Sequence, residues 1–189
     1  MKTTDATKLS DEALVYKIVE TNNTHLFAVL YDRYSSVVYN KCYGFSVNKE
    51  EAQDLTHDIF IKLFIKLRTF KGKSKFSTWL YSFTYNFCVN YVQRNSHKKK
   101  ERVTVVTDQI KEEDSFDEID DVSLFELKSE KLAKALQLID PNDKMILLMK
   151  YQDDMSIKEI QSVLEVGESA VKMRIKRAKE KVINAYQEV

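Results

Sequence analysis

Lys172, Arg174, Lys176, Arg177, Lys179 and Lys181 place six cations against a single acid, Glu180, within one short stretch. Cations at that density meet phosphate, since lysine and arginine displace the counterions of a nucleic-acid backbone. A second cationic group, Lys71, Lys73 and Lys75 with Arg68, surrounds Gly72 in RTFKGKSKF. A third follows an aromatic run: Trp79, Tyr81, Phe83, Tyr85, Phe87 and Tyr91, then Arg94 and Lys98–Lys99–Lys100. Rings interleaved with cations suit single-stranded nucleic acid, where bases stack and phosphates pair with charge. Each group also has a plainer reading: a solvated basic face, a solubilising loop, and a core helix with a basic tail.

The elements that position these residues read as helices. Ser156 and Glu159 form an S-x-x-E capping box, after which Ile157, Ile160 and Leu164 share one face. Gly167 is read as the flexible point of a turn. Val171, Ile175, Ala178 and Val182 then give the following basic helix a buried stripe. A basic helix after such a turn is the helix-turn-helix pattern, whose second helix enters the DNA major groove. Upstream, Asp140 as N-cap and Pro141 at the first helical position separate two helices, the earlier carrying Leu132, Ala135, Leu136 and Ile139.

In the first half, residues 1–9 read as frayed and Ser10 as a helix start, with Leu14 and Ile18 inward. A helix from about Thr24 buries Phe27, Leu30, Tyr31, Tyr34 and Val38 and stops near Gly44. Asn48 with Glu51 caps a helix from about Lys49 to Arg68, with Ala52, Leu55, Ile59, Leu63 and Leu67 inward. Asp54, His57, Asp58 and Lys62 lie off that stripe. Ser77 is read as the cap of the aromatic helix. Between Asp108 and Glu126 nine acids stand against one lysine, a composition that reads as a disordered tether.

Composition narrows the field. One proline and three glycines in 189 residues favour long helices over a loop-rich β fold, and 43% hydrophobic residues support a packed core. The net charge of +1 hides the segregation of basic helices from an acidic tether. Cys42 and Cys88 lack ligand spacing and read as buried free thiols in a reducing compartment. His25, His57 and His97 are scattered, with no Gly-rich phosphate loop, no Cys/His cluster and no Ser–His–Asp set. No catalytic, metal or cofactor site is therefore expected. No signal-peptide core or membrane-length apolar run is present, so the expected location is cytoplasmic.

Three motifs in order give these surfaces a common meaning: EEAQDLTHDIFIKLF (50–64), FSTWLYSFTYNFCVNYVQR (76–94) and SIKEIQSVLEVGESAVKMRIKRAKEKV (156–182). The chain resembles the extracytoplasmic-function (ECF) RNA polymerase sigma factors of the sigma-70 family over about residues 10–187. The resemblance implies an all-α protein of two small helical domains joined by an acidic flexible linker. Region 2 spans 10–100, the linker 101–123 and region 4 124–187. It implies no enzyme, but a subunit that binds core RNA polymerase, recognises the −10 and −35 promoter elements and helps melt DNA. Asp54, His57, Asp58 and Lys62 would face core polymerase. Lys71, Lys73, Lys75, Trp79, Asn86 and Arg94 would serve −10 recognition and melting, the loop 69–75 capturing a flipped base. Asn90 stands where many members carry Asp. Lys172, Met173, Arg174, Lys176 and Arg177 would contact the −35 element. The acidic segment would occupy a positively charged nucleic-acid channel of polymerase. An anti-sigma factor, often membrane-anchored, would be a further partner, with no small-molecule substrate. The alternative is a stand-alone helix-turn-helix regulator with a sensing or dimerising N-terminal bundle.

Overall fold

A computed structural model describes residues 6–100 and 129–189, with side chains apart from those of 96–100 and 129. Among them the order is α1 (Asp11–Thr21), α2 (Thr24–Phe45), α3 (Lys49–Lys66), a 3₁₀ turn (Leu67–Thr69) and α4 (Phe76–Lys100). There follow α5 (Ser129–Leu138), α6 (Pro141–Leu147), a π-helical turn (Leu148–Gln152), α7 (Ile157–Leu164) and α8 (Glu168–Glu188). No β-strand occurs among the described residues, as expected of an all-α chain. The chain divides into two compact units at Asn90/Tyr91, inside α4. Residues 101–123, expected to form an acidic tether, and the cations Lys98 to Lys100 lie outside the described side chains.

The first unit is organised by α2, which packs along α1 and α3. Its inward row is Leu26, Leu30, Tyr34, Val38, Cys42 and Phe45. Against it stand Leu14 and Ile18 of α1, Ile59 and Leu63 of α3, and Phe76, Leu80, Tyr85 and Cys88 of α4, all buried. Each fully buried Leu, Ile or Phe contributes about 1.5–3 kcal/mol of transfer free energy. Helix starts are fixed locally. The Asn23 side chain accepts the His25 and Leu26 N–H groups, and that of Asn48 accepts the Glu51 N–H at 2.8 Å. Such caps contribute about 1 kcal/mol each.

Three sequence expectations shift here. Residues 7–9 are not frayed: the Arg33 guanidinium donates to the Thr7 and Leu9 carbonyls at 2.8 and 2.9 Å and pairs with Asp11, while Ala6 is buried. Asp11 also accepts from the Tyr34 hydroxyl; burial first, then that hydrogen bond, raises the Tyr34 phenol well above its ordinary value. Gly44 does not stop α2, which runs to Phe45 and ends at extended Ser46, because Phe45 is a buried core side chain. Ser77 does not cap α4, which begins one residue earlier, at Phe76. Its first turn closes on the Lys75 carbonyl, and the Phe76 N–H donates to Glu12 Oε1 of α1 at 3.0 Å. A carboxylate from another helix does there what a local hydroxyl was expected to do.

In the second unit α8 packs on α5, α6 and α7. Val171, Ile175, Ala178 and Val182 are buried as expected, against a core that includes Ala135, Met149 and Ile160. Asp140 accepts the Asn142 N–H at 2.8 Å, with Pro141 opening α6.

Candidate nucleic-acid interface

The loop before α4 is built before it is charged. The 3₁₀ turn closes with the Phe70 N–H donating to the Leu67 carbonyl at 3.0 Å, and Phe70 is buried. Gly72 then takes φ +67°, a conformation that favours glycine. A side chain there would also collide with Tyr16 of α1, whose hydroxyl oxygen would lie 2.5 Å from a Cβ. The backbone is thus tucked under Tyr16, while Lys71, Lys73 and Lys75 are exposed.

Along α4 two faces separate. Trp79 and Phe83 are half-buried and stacked, 5.9 Å apart with planes 14° from parallel. Trp79 also lies 5.5 Å from Phe70 and 5.9 Å from Phe76, so its position is fixed by rings on three sides. Further along the same strip Asn86, Asn90 and Arg94 are exposed, the Asn86 amide donating to Ser82 Oγ at 3.5 Å. The opposite strip holds buried Tyr85 and Cys88. There the Lys41 amino group, buried in α2, sits 4.0 Å above the Tyr81 ring and donates to the Tyr85 hydroxyl at 3.4 Å. Such a cation is desolvated but faces two rings, which offset part of that cost. Of the aromatic run on this helix, Trp79, Tyr81, Phe83, Phe87 and Tyr91 are half-buried and Tyr85 is buried.

On α3, Asp54, His57, Asp58 and Lys62 are all exposed. They do not act alike. The Lys62 amino group lies 4.4 Å from the centre of the Phe87 ring on α4, so this cation joins the two helices. His57 lines an apolar groove with Phe27, Tyr31, Phe60, Ile61 and Ile65. Ile61 and Ile65 are 64% and 68% exposed. The stripe pattern of α3 singles out neither. The available signal was two isoleucines lying off the Leu55, Ile59 and Leu63 stripe, apolar residues that a single buried face leaves outside.

In the second unit the capping box is complete: Ser156 Oγ accepts the Glu159 N–H at 3.2 Å, and Glu159 Oε2 accepts the Ser156 N–H at 2.9 Å. The turn differs from expectation. Gly167 is extended at φ −69° and serves as the N-cap of α8; the left-handed residue is Glu165, at φ 53°. Nothing lies within 4 Å of a Cβ at Gly167, so neither space nor φ requires glycine there.

The six cations of α8 split by helical position. Lys181 pairs with Asp143 of α6 at 2.6 Å, and Lys179 lies 5.7 Å from the Tyr151 ring centre, so both turn onto their own unit. Lys172, Met173, Arg174 and Arg177 are exposed, and Lys176 is half-exposed. Lys172 pairs with Glu168 at 2.7 Å; the Lys172 hydrogen bond, then its charge, holds that carboxyl below its usual range. Arg174 and Arg177 make no ion pair with another described residue. The outward face is therefore led by two guanidiniums, which can take phosphate or the guanine edge in bidentate fashion.

Among the described residues no group of three or more His, Cys, Asp or Glu side chains could hold a metal ion. No described helix is long and apolar enough to cross a membrane.

The chain is similar to known proteins in sequence and in fold. Residues 30–98 match Sigma-70 region 2, and residues 129–182 match Sigma-70, region 4. The ECF RNA polymerase sigma factor SigW of Bacillus subtilis is 31% identical over 87% of this chain and 90% of its own length. The ECF RNA polymerase sigma-E factor of Haemophilus influenzae is 26% identical over 96% of this chain and 98% of its own. The fold is similar to that of CnrH in complex with the cytosolic domain of CnrY, with TM-score 0.62, 19% identity and coverage of 94% and 97% of the two chains. It is similar too to the sigma factor RpoE in complex with the anti-sigma factor NepR from Bartonella quintana. That match has TM-score 0.61 and 14% identity, over 85% of this chain and 96% of the other. Two sigma regions in order, on helices whose outward faces carry rings and cations, make the chain a member of the ECF group of the sigma-70 family, a promoter-recognising sigma factor that directs transcription initiation.

Proposed function

We propose that this sigma factor divides its work among three surfaces. Asp54, His57, Asp58 and Lys62 on α3 meet core polymerase, with the groove of Ile61 and Ile65 beside them. Lys71, Lys73 and Lys75 hold the backbone of the −10 element, while Trp79, Asn86 and Arg94 on α4 support the opened strand. Lys172, Met173, Arg174, Lys176 and Arg177 on α8 contact the −35 element. The observation that carries this reading is the two-sidedness of α4 and α8: in each unit one face is core and the other presents rings or cations to solvent. Extruding a base costs a few kcal/mol of stacking, and rings already fixed in place, as Trp79 is, offset it without further ordering.

Region 2 is assigned to 10–100, the linker to 101–123 and region 4 to 124–187. The linker's acids, which lie outside the described residues, suit the cationic channel of polymerase, and neutralising them should change abortive synthesis. The chain performs no catalysis itself, works in the cytoplasm and needs no cofactor. An anti-sigma factor, membrane-anchored in many members of the family, is proposed as its regulator. Support comes from the RpoE complex with an anti-sigma factor and the CnrH complex with a cytosolic domain.

The test is transcription by purified core RNA polymerase on promoter-bearing fragments, with and without the protein. Start-site-specific transcripts that require the protein, abolished by charge reversal at Asp54 and Asp58, are expected. Absence of core binding, with sequence-specific DNA binding by the protein alone, would overturn the proposal.

A further inference from the structure

Cys42 and Cys88 are 46 positions apart, and nothing in their spacing joins them. The fold does. Cys42 lies one turn beyond Val38 on the buried row of α2, and Cys88 lies beyond Tyr85 on the buried strip of α4. The Cys88 thiol donates to Cys42 Sγ at 3.9 Å, and both side chains are fully buried. We propose that Cys42 and Cys88 form a dithiol site that closes reversibly into a disulfide, tying α2 to the face of α4 opposite Trp79 and Arg94.

The surroundings fit thiol chemistry better than plain packing. The Cys88 hydrogen bond lowers the Cys42 thiol below its ordinary value against the opposing effect of burial, with Thr56 of α3 and the neighbouring Lys41 charge adding to the same side. A thiol that accepts a hydrogen bond from a second thiol has its resolving partner already in place once it is oxidised. The oxidant is hydrogen peroxide. The Cys42 thiolate attacks one peroxide oxygen, breaking the O–O bond, forming a sulfenic acid and releasing hydroxide, which takes up the proton Cys42 had lost. The Cys88 sulfur then attacks the Cys42 sulfur, forming the S–S bond and expelling the sulfenic oxygen as water with the Cys88 proton. Two thiols and one peroxide give one disulfide and two waters. The sulfurs, 3.9 Å apart, must approach by about 2 Å to reach bonding distance. Because both thiols are shielded, the reaction awaits opening of the α2–α4 seam, so its rate follows that opening.

The experiment uses the full reduced chain, exposed to hydrogen peroxide in buffer and in mild urea, then acid-quenched, alkylated and weighed intact. Expected is a monomer lighter by two hydrogens, with no alkylation at either cysteine, a tryptic fragment joining Cys42 to Cys88, and reversal by dithiothreitol. Urea should speed its appearance, and the oxidised chain should melt about 5 °C or more higher. Cys42→Ser and Cys88→Ser should each abolish the two-hydrogen loss. Two alkylatable thiols after both treatments, a disulfide only between chains, or oxygen added at one cysteine without the cross-link would overturn the proposal. This outcome is independent of promoter activity, so the site and the sigma mechanism stand or fall separately.

Discussion

The helices α4 and α8 each turn one face to the core and one outward, but they furnish the outward face differently. That of α4 is led by rings: Trp79 stacked on Phe83, with Asn86 and Arg94 beyond and the lysines on the preceding loop. That of α8 carries Arg174 and Arg177 among other cations and no exposed ring. Rings suit bases that have left the stack; guanidiniums suit an intact duplex, where phosphates and major-groove edges are what a helix can reach. The contrast teaches that total charge says little about a nucleic-acid surface, since +1 overall conceals both.

The comparison breaks most readily at Trp79. Trp79→Ala should reduce transcription from duplex promoters by at least about tenfold, as expected for one lost stacking platform. Activity on a template with a premade bubble should fall less. Equal losses on both templates, in polymerase assays with the two DNAs, would make Trp79 a packing residue alone. Next come the arginines. Arg174→Ala and Arg177→Ala should each weaken binding of holoenzyme to −35 duplex by about 1–3 kcal/mol if they read base edges. Competition with base-substituted duplexes distinguishes this from phosphate contact, which weakens all sequences alike. Replacing Lys71, Lys73 and Lys75 together by Gln should lower the salt dependence of strand capture by a slope of about 2, near 0.7 per phosphate contact. An unchanged slope in salt titrations of holoenzyme on single-stranded −10 DNA would remove the loop from the backbone.

Two smaller effects sharpen the α8 side. Glu165→Gly should stabilise the protein by about 0.5–1 kcal/mol, since φ 53° strains a residue with a Cβ. Gly167→Ala should not relieve any strain, because φ there is ordinary; thermal unfolding compares the two. The smallest effect concerns Glu168, which holds Lys172. Glu168→Gln should release that lysine and tighten duplex binding up to about threefold, with a slightly steeper salt slope. Acid should act in the same direction. Because the carboxyl is depressed in the folded state, the pairing is complete above the ordinary carboxylate range and is lost as pH falls through the lowered value. Binding of duplex by a Glu168→Gln variant should lack that component of the pH dependence.

Where residues act through their neighbours in sequence, the chain was legible. The Ser156–Glu159 box, the Asn48 cap and the Val171–Val182 stripe follow from spacing alone, because helix faces and caps are local properties. The candidate site was legible in its cations and rings for the same reason. What escaped was long-range. Glu12 at the start of α4, Tyr16 over Gly72 and the Cys42–Cys88 meeting join residues whose separation encodes nothing. Glu165 escapes differently: composition points to the glycine two residues on, while a glutamate takes the left-handed conformation. Lys179 and Lys181 were legible as charge but not as inward partners of Tyr151 and Asp143.

The Glu12 contact bears on where this protein begins to be a protein. Similarity to Sigma-70 region 2 is recognised from residue 30, yet the first turn of α4 is completed by a carboxylate at residue 12. On the ribosome that acceptor emerges 64 residues before the amide it will receive. A fragment trimmed to the recognised region would keep Trp79, Asn86 and Arg94 and lose the group that seats the first turn of α4, along with the Tyr16 side chain over Gly72. A truncation series that keeps the α1 contacts to α4 and its loop should therefore be cut before α1.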